Sequence, residues 1–142
     1  MHADDADRIR ASWARLAPHA DAVADDFYAR LFATAPDAAA LFAHVDMAVQ
    51  RQKFLRMVGD LVRVLDDPGE LVSESVPSGR RHASYGARDE HWALVGRALL
   101  DAMAHALGDD FDRATRAAWQ ELYTLVSAVM QRAASRARPA RV

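Results

Sequence analysis

The sequence predicts an all-α protein, on three observations. Apolar residues recur every three or four positions through most of the chain, the period of a helix face. No alternating run of β-branched residues exists, so no strand is expected. Hydrophobic residues make up 51% and charged residues 27% of 142, enough for an ordered core in a chain of single-domain size.

The elements follow in order. Asp4–Ala17 places Ile9, Trp13 and Leu16 on one stripe, with Arg10 and Arg15 off it and acidic residues at the positive end of the helix. Pro18 is expected to open a second helix reaching about Ala33, with Val23, Ala24, Phe27, Tyr28 and Leu31 on its apolar stripe. Tyr28 therefore faces the interior, and its hydroxyl needs a partner. A core tyrosine bonded to a backbone carbonyl is the ordinary alternative to a functional one. Thr34–Pro36 forms a corner, and a short helix over Pro36–Phe42 follows. Phe42 is either core or a ring that stacks on a flat ligand. Ala43–Asp46 is a loop, and its His44 is given no role.

Met47–Leu65 is a long helix with Phe54, Val58, Leu61, Val62 and Leu65 on one face. Gln50 lies one turn before Phe54, at the upper edge of that face, where it can donate and accept. A boundary glutamine facing water is the alternative. Lys53, the only lysine, is expected to point to solvent, where it can meet an anionic group. Asp66–Gly69 breaks the helix, and Glu70–Val76 is a weak helical segment. Pro77 either stops that segment or restarts it as a short helix bearing His82.

Asp89–Leu107 keeps Trp92, Val95, Gly96, Leu99, Leu100, Met103 and Leu107 on a 3.6-residue period, and Gly108 ends it. Asp112 caps a last helix reaching about Ala134, with Ala118, Leu122, Leu125, Val126 and Val129 as its apolar line. Glu121 falls inside that line. Burying an unpaired carboxylate is costly, so Glu121 is expected to meet a donor. The ring N–H of a metal-bound histidine would serve; an arginine or an edge position is the alternative. Residues 1–134 are read as one domain, and 135–142 as a basic tail expected to fray.

Composition excludes several classes. A net charge of −2 gives no reason to expect nucleic acid as partner. No apolar run is long enough to span a bilayer, and the polar first residues lack the apolar core of a signal peptide. No membrane insertion and a cytoplasmic location are the expectations. The absence of cysteine excludes disulfides, zinc–thiolate sites, iron–sulfur clusters and thiolate- or thioether-held haem. His82, with Pro77 before it and Gly86 and Asp89 after, has the setting that a haem pocket needs on its iron-coordinating side. A neutral imidazole gives iron one nitrogen while an acceptor holds the other. Taken alone, a packed or surface histidine is the commoner case.

Several segments together carry a resemblance: Phe27–Phe32 followed by Pro36 and Leu41–Phe42, then Gln50 with Lys53, Arg81–Gly86, Glu90–Gly96 and Ala118–Tyr123. In this order and spacing, from about Ile9 to Met130, the chain resembles the globins. It is most similar to single-domain bacterial haemoglobins related to the globin half of flavohaemoglobins. The resemblance implies six to eight helices around a non-covalent haem b. It implies His82 as iron ligand, Tyr28 and Gln50 as the distal pair, Phe42 stacked on the haem and Phe54 as the apolar distal residue. It implies Glu121 as the acceptor for His82, Val95 and Trp92 on the pocket wall, and Lys53, Arg81 and Tyr85 near the propionates.

The implied function is reversible binding of O2, with NO and CO as further ligands. Nitric oxide dioxygenation or weak peroxidase-like chemistry is the enzymatic use. No G-x-G-x-x-G follows a strand and no flavin or nicotinamide domain is visible, so an external reductase is the expected partner. A haem-less globin-fold module for sensing or partner binding is the alternative. Two departures stand out. Trp92 occupies the place of a usual tyrosine, and Pro77–Ser78–Gly79 is expected to make the approach to His82 irregular.

Overall fold

Two aspartates show how local chemistry sets the helix starts. The Asp46 carboxylate accepts from the backbone N–H groups of Ala48 at 3.0 Å and Val49 at 3.4 Å. Asp112 accepts from that of Thr115 at 2.8 Å. Each satisfies donors that a first helical turn leaves unpaired. The computed structural model describes residues 2–84 and 90–137. Among these lie seven α-helices: α1 Ala3–Leu16, α2 Ala20–Thr34, α3 Pro36–Leu41, α4 Met47–Arg63, α5 Pro68–Ser84, α6 His91–Leu107 and α7 Arg113–Ala137. Single 3₁₀ turns at Ala17–His19 and Gly108–Asp110 adjust the joints, so Pro18 sits in a turn before α2 and does not open it. No strand occurs among the described residues, and none of their helices is long and apolar enough to cross a membrane. Tyr85, Gly86, Asp89 and 138–142 lie outside them.

The core is the sum of the apolar stripes. Ile9 and Leu16 of α1, Val23, Ala24, Phe27, Tyr28 and Leu31 of α2, and Val58, Leu61 and Val62 of α4 are buried, with Leu65 just beyond α4. Trp92, Leu99, Leu100 and Met103 of α6 join them. The first and last helices close on each other through a polar contact inside the core. Nε1 of Trp119 donates to Ser12 Oγ at 2.8 Å, across 107 residues of sequence. Ser12 Oγ in turn donates back to the Ile9 carbonyl at 2.9 Å. Every hydrogen-bonding group of the pair is thus used, as burial requires.

Two expectations are corrected here. First, Pro77 neither stops nor restarts a helix: α5 runs unbroken from Pro68 to Ser84 with Pro77 inside it. Proline removes one N–H and crowds the carbonyl four residues back, but α5 packs along α7 for much of its length, and that tertiary contact outweighs the local break. Gly79 makes the close approach feasible. A Cβ there would collide with the Met130 carbonyl, so only glycine lets the two backbones meet. Ser78 and Gly79 are therefore interior residues of a regular helix.

Second, the buried face of α7 is rotated from the expected line. Thr115, Ala118, Trp119, Leu122, Val126, Met130 and Ala133 are buried, while Leu125 is 47% exposed. Glu121 shares the outer side with Leu125 and is exposed. It is not a carboxylate in the core. The last helix also runs past Ala134, to Ala137.

Candidate functional site

Two helices of one hairpin, α4 and α5, are joined by the turn at 64–67. They meet at Ser78, whose Oγ donates to Met57 Sδ at 3.3 Å. Beyond that contact, away from the turn, lie Phe54 and Gln50 on α4 and His82 on α5. The polar residues expected at a pocket thus fall on the open side of the hairpin, on opposing helices.

On the α4 side, Gln50 Nε2 donates to the Tyr28 hydroxyl at 3.1 Å. The two residues expected to act together are brought together. Tyr28 is buried, 6% exposed. Among the described residues its hydroxyl has this accepted bond as its one partner, so its own proton remains to be donated. Burial raises the Tyr28 pKa above its ordinary value, against smaller opposing effects of the Gln50 bond and Arg51. The phenol therefore stays protonated at physiological pH.

Aromatic rings frame this pair. Phe42 and Phe54 meet the Tyr28 ring edge-on, at centroid distances of 5.7 Å and 5.9 Å. Phe27 stacks on Phe54 at 4.5 Å with an interplanar angle of 2°. Edge-to-face and offset contacts of this kind fix ring orientation as well as burying area. They leave Tyr28 few alternative rotamers.

On the α5 side, Nδ1 of His82 donates to the Ser78 carbonyl at 2.7 Å, one turn earlier on the same helix. This fixes the tautomer: Nδ1 carries the proton and Nε2 keeps a lone pair. Burial lowers the His82 pKa, the Ser78 bond opposes that, and Arg81 lowers it further. The imidazole is thus neutral at physiological pH. Trp92 packs beside it, ring centroid to ring centroid 5.3 Å. The backbone carbonyl of Trp92 accepts from the Tyr123 hydroxyl. Nε1 of Trp92 is the one buried side-chain polar atom with no partner among the described residues.

The expected acceptor for His82 is corrected by this geometry. The Ser78 carbonyl, not Glu121, holds Nδ1, and Glu121 lies on the exposed face of α7. A backbone carbonyl is neutral, so it orients the ring without lending it negative charge. Of the remaining residues, Val95 is half-buried against the core. Lys53 and Arg81 are exposed. Tyr85 lies outside the described residues. Ser78 was not foreseen, because a carbonyl carries no side-chain signature; only its place four residues before His82 on a helix marks it.

The donor set fits a planar metal-centred cofactor. His82 offers a neutral imidazole with a bare Nε2, and Tyr28 a buried phenol whose own proton is undonated among the described residues. Aromatic rings lie around the phenol, and an unpaired indole N–H stands beside the imidazole.

The Globin family profile matches residues 25–130. A flavohemoprotein of Rhizobium meliloti is 30% identical over 119 residues, covering 82% of this chain and 30% of that protein. One of Chromobacterium violaceum is 30% identical over 121 residues, covering 84% and 30%. One of Bordetella pertussis is 30% identical over 117 residues, covering 81% and 29%. The chain thus spans about 30% of the length of these relatives.

Proposed function

The chain belongs to the globin family, and from that premise we propose that it holds haem b non-covalently between Tyr28 and His82 and binds O2 reversibly, with NO and CO as further ligands. Haem iron, when bound, supplies the coordination position at which a diatomic gas is taken up. The protein supplies the rest. His82 offers Nε2, and the Ser78 carbonyl keeps its ring from turning. Tyr28 would offer its hydroxyl proton as a hydrogen-bond donor to a bound gas that carries partial negative charge. Gln50 holds the Tyr28 oxygen and so aims that proton. Phe42, Phe54 and the surrounding core keep water out, which strengthens the hydrogen bond.

The observation that carries this reading is the uncommitted Tyr28 proton, buried and aligned by Gln50. Packing alone would not leave a buried donor unused. An optical spectrum of the purified protein tests the reading. A Soret band that shifts between ferric, ferrous and O2-equilibrated samples supports it. A colourless protein that takes up no added hemin points instead to a haem-less sensory or partner-binding module.

Nitric oxide dioxygenation with an external reductase is the enzymatic use that the distal pair supports. The proximal side adds nothing to it, because His82 leans on a neutral carbonyl. Reversible gas binding is therefore the primary reading. Adding nitric oxide to the O2-loaded protein and measuring nitrate tests the enzymatic one.

A further inference from the structure

We propose that Asp37, Glu90 and His91 form a site for one divalent transition-metal cation of the Zn²⁺ type, separate from the pocket of Tyr28 and His82. One ligand atom from each of the three lies within 4.8 Å of the other two, the one such group found among the described residues. His91 is the first residue of α6 and is 5% exposed. Its Nε2 stands 2.9 Å from Asp37 Oδ2. Asp37 belongs to the first turn of α3 and Glu90 immediately precedes α6, both exposed. The site thus has one donor held by burial and two at the solvent boundary. That arrangement admits an ion from water onto a fixed imidazole.

The donor types set the class of ion. One imidazole nitrogen with two carboxylates suits Zn²⁺ and its neighbours, whereas Ca²⁺ and Mg²⁺ favour all-oxygen shells. Bonds of about 2.0–2.2 Å in a tetrahedral shell put ligand atoms about 3.3–3.5 Å apart. Ligand atoms up to 4.8 Å apart therefore close in by at most about 1.5 Å, a movement open to exposed side chains, while the 2.9 Å Asp37–His91 contact opens slightly. Three protein ligands leave a fourth position for water.

Asp37 and His91 are 54 residues apart. A cation bridging them would staple α3, which leads into Phe42, to the start of α6, where Trp92 follows. An ion that binds the folded chain alone stabilises it by mass action. None of the three residues belongs to the gas-binding reading, so the site stands whether or not haem is bound.

Isothermal titration of the tag-free protein with ZnCl₂ tests this. One ion per chain with a Kd in the micromolar range is expected, with no heat from MgCl₂. Asp37→Asn, Glu90→Gln and His91→Gln should each weaken binding at least about tenfold. The first two alter exposed carboxylates, so their far-ultraviolet dichroism should match the wild type. Zn²⁺ affinity unchanged in both Asp37→Asn and Glu90→Gln would overturn the proposal, as would no binding below about 1 mM. Binding lost on His82→Ala and kept in the other three variants would place the ion in the pocket and overturn it equally.

Discussion

Replacing Tyr28 by phenylalanine removes one oxygen and little else. The ring keeps its contacts with Phe27 at 4.8 Å and with Phe42 and Phe54, so the core is preserved. Gln50 loses its acceptor, but it is half-buried and can turn to water. What disappears is a donor to a ligand that carries partial negative charge. A hydrogen bond to a charged group contributes about 1.5–3 kcal/mol. At about 1.4 kcal/mol per factor of ten, O2 release from the haem-loaded variant should be roughly 10- to 100-fold faster. Stopped-flow displacement of O2 by CO measures this directly. The wild-type rate should not change as pH is raised from neutral into the mildly alkaline range, because burial holds the phenol protonated. An unchanged dissociation rate in Tyr28→Phe would refute the reasoning and leave Tyr28 a packing residue whose proton meets no ligand.

Other outcomes follow from the same geometry. His82→Ala should lose haem, or retain it only with free imidazole added; an unaltered spectrum would remove His82 as the ligand. Glu121→Gln should leave the iron–histidine stretch in resonance Raman and the reduction potential where they are, since the Ser78 carbonyl holds Nδ1. A downshifted stretch would mean that Glu121 reaches His82 after all. Gly79→Ala should cost about 1–3 kcal/mol by forcing α5 off α7, read as a lowered Tm. The His82 pKa in the folded chain lies below its ordinary value of 6.5, so the unfolded chain takes up the proton first. Stability from this source is full above about pH 6.5 and declines as pH falls toward the folded pKa. A Tm titration of the haem-free protein should show that decline, and His82→Gln should flatten it.

The distal half of the site was legible because helix periodicity alone places its residues. Tyr28 falls on the stripe of Val23, Ala24, Phe27 and Leu31, and Gln50 sits one turn ahead of Phe54; the fold had only to bring α2 and α4 together for the 3.1 Å bond to form. The proximal half was less legible. On α7, a line through Ala118, Leu122, Leu125 and Val129 fits the helical repeat about as well as one through Trp119, Leu122, Val126 and Met130. The choice belongs to α1 and α5, which pack against the second line, and that turned Glu121 outward. Pro77 misled for a similar reason. Local rules weigh one lost N–H, whereas α5 is held along α7 by many contacts at once. The bond from His82 to a carbonyl, and the Asp37–His91 pair across 54 residues, leave no trace in local pattern.

The bond between Ser12 and Trp119 bears on how the protein is made. The apolar stripe of α1 leaves the ribosome 107 residues ahead of its partner on α7. At about 5–20 residues per second, the ribosome leaves that stripe uncovered for about 5–20 s. Over that interval Ile9 and Leu16 depend on transient cover, from the α2 stripe or from a chaperone. Folding to completion must then wait for the last helix, so a nascent chain stalled before Trp119 should remain sensitive to protease throughout α1.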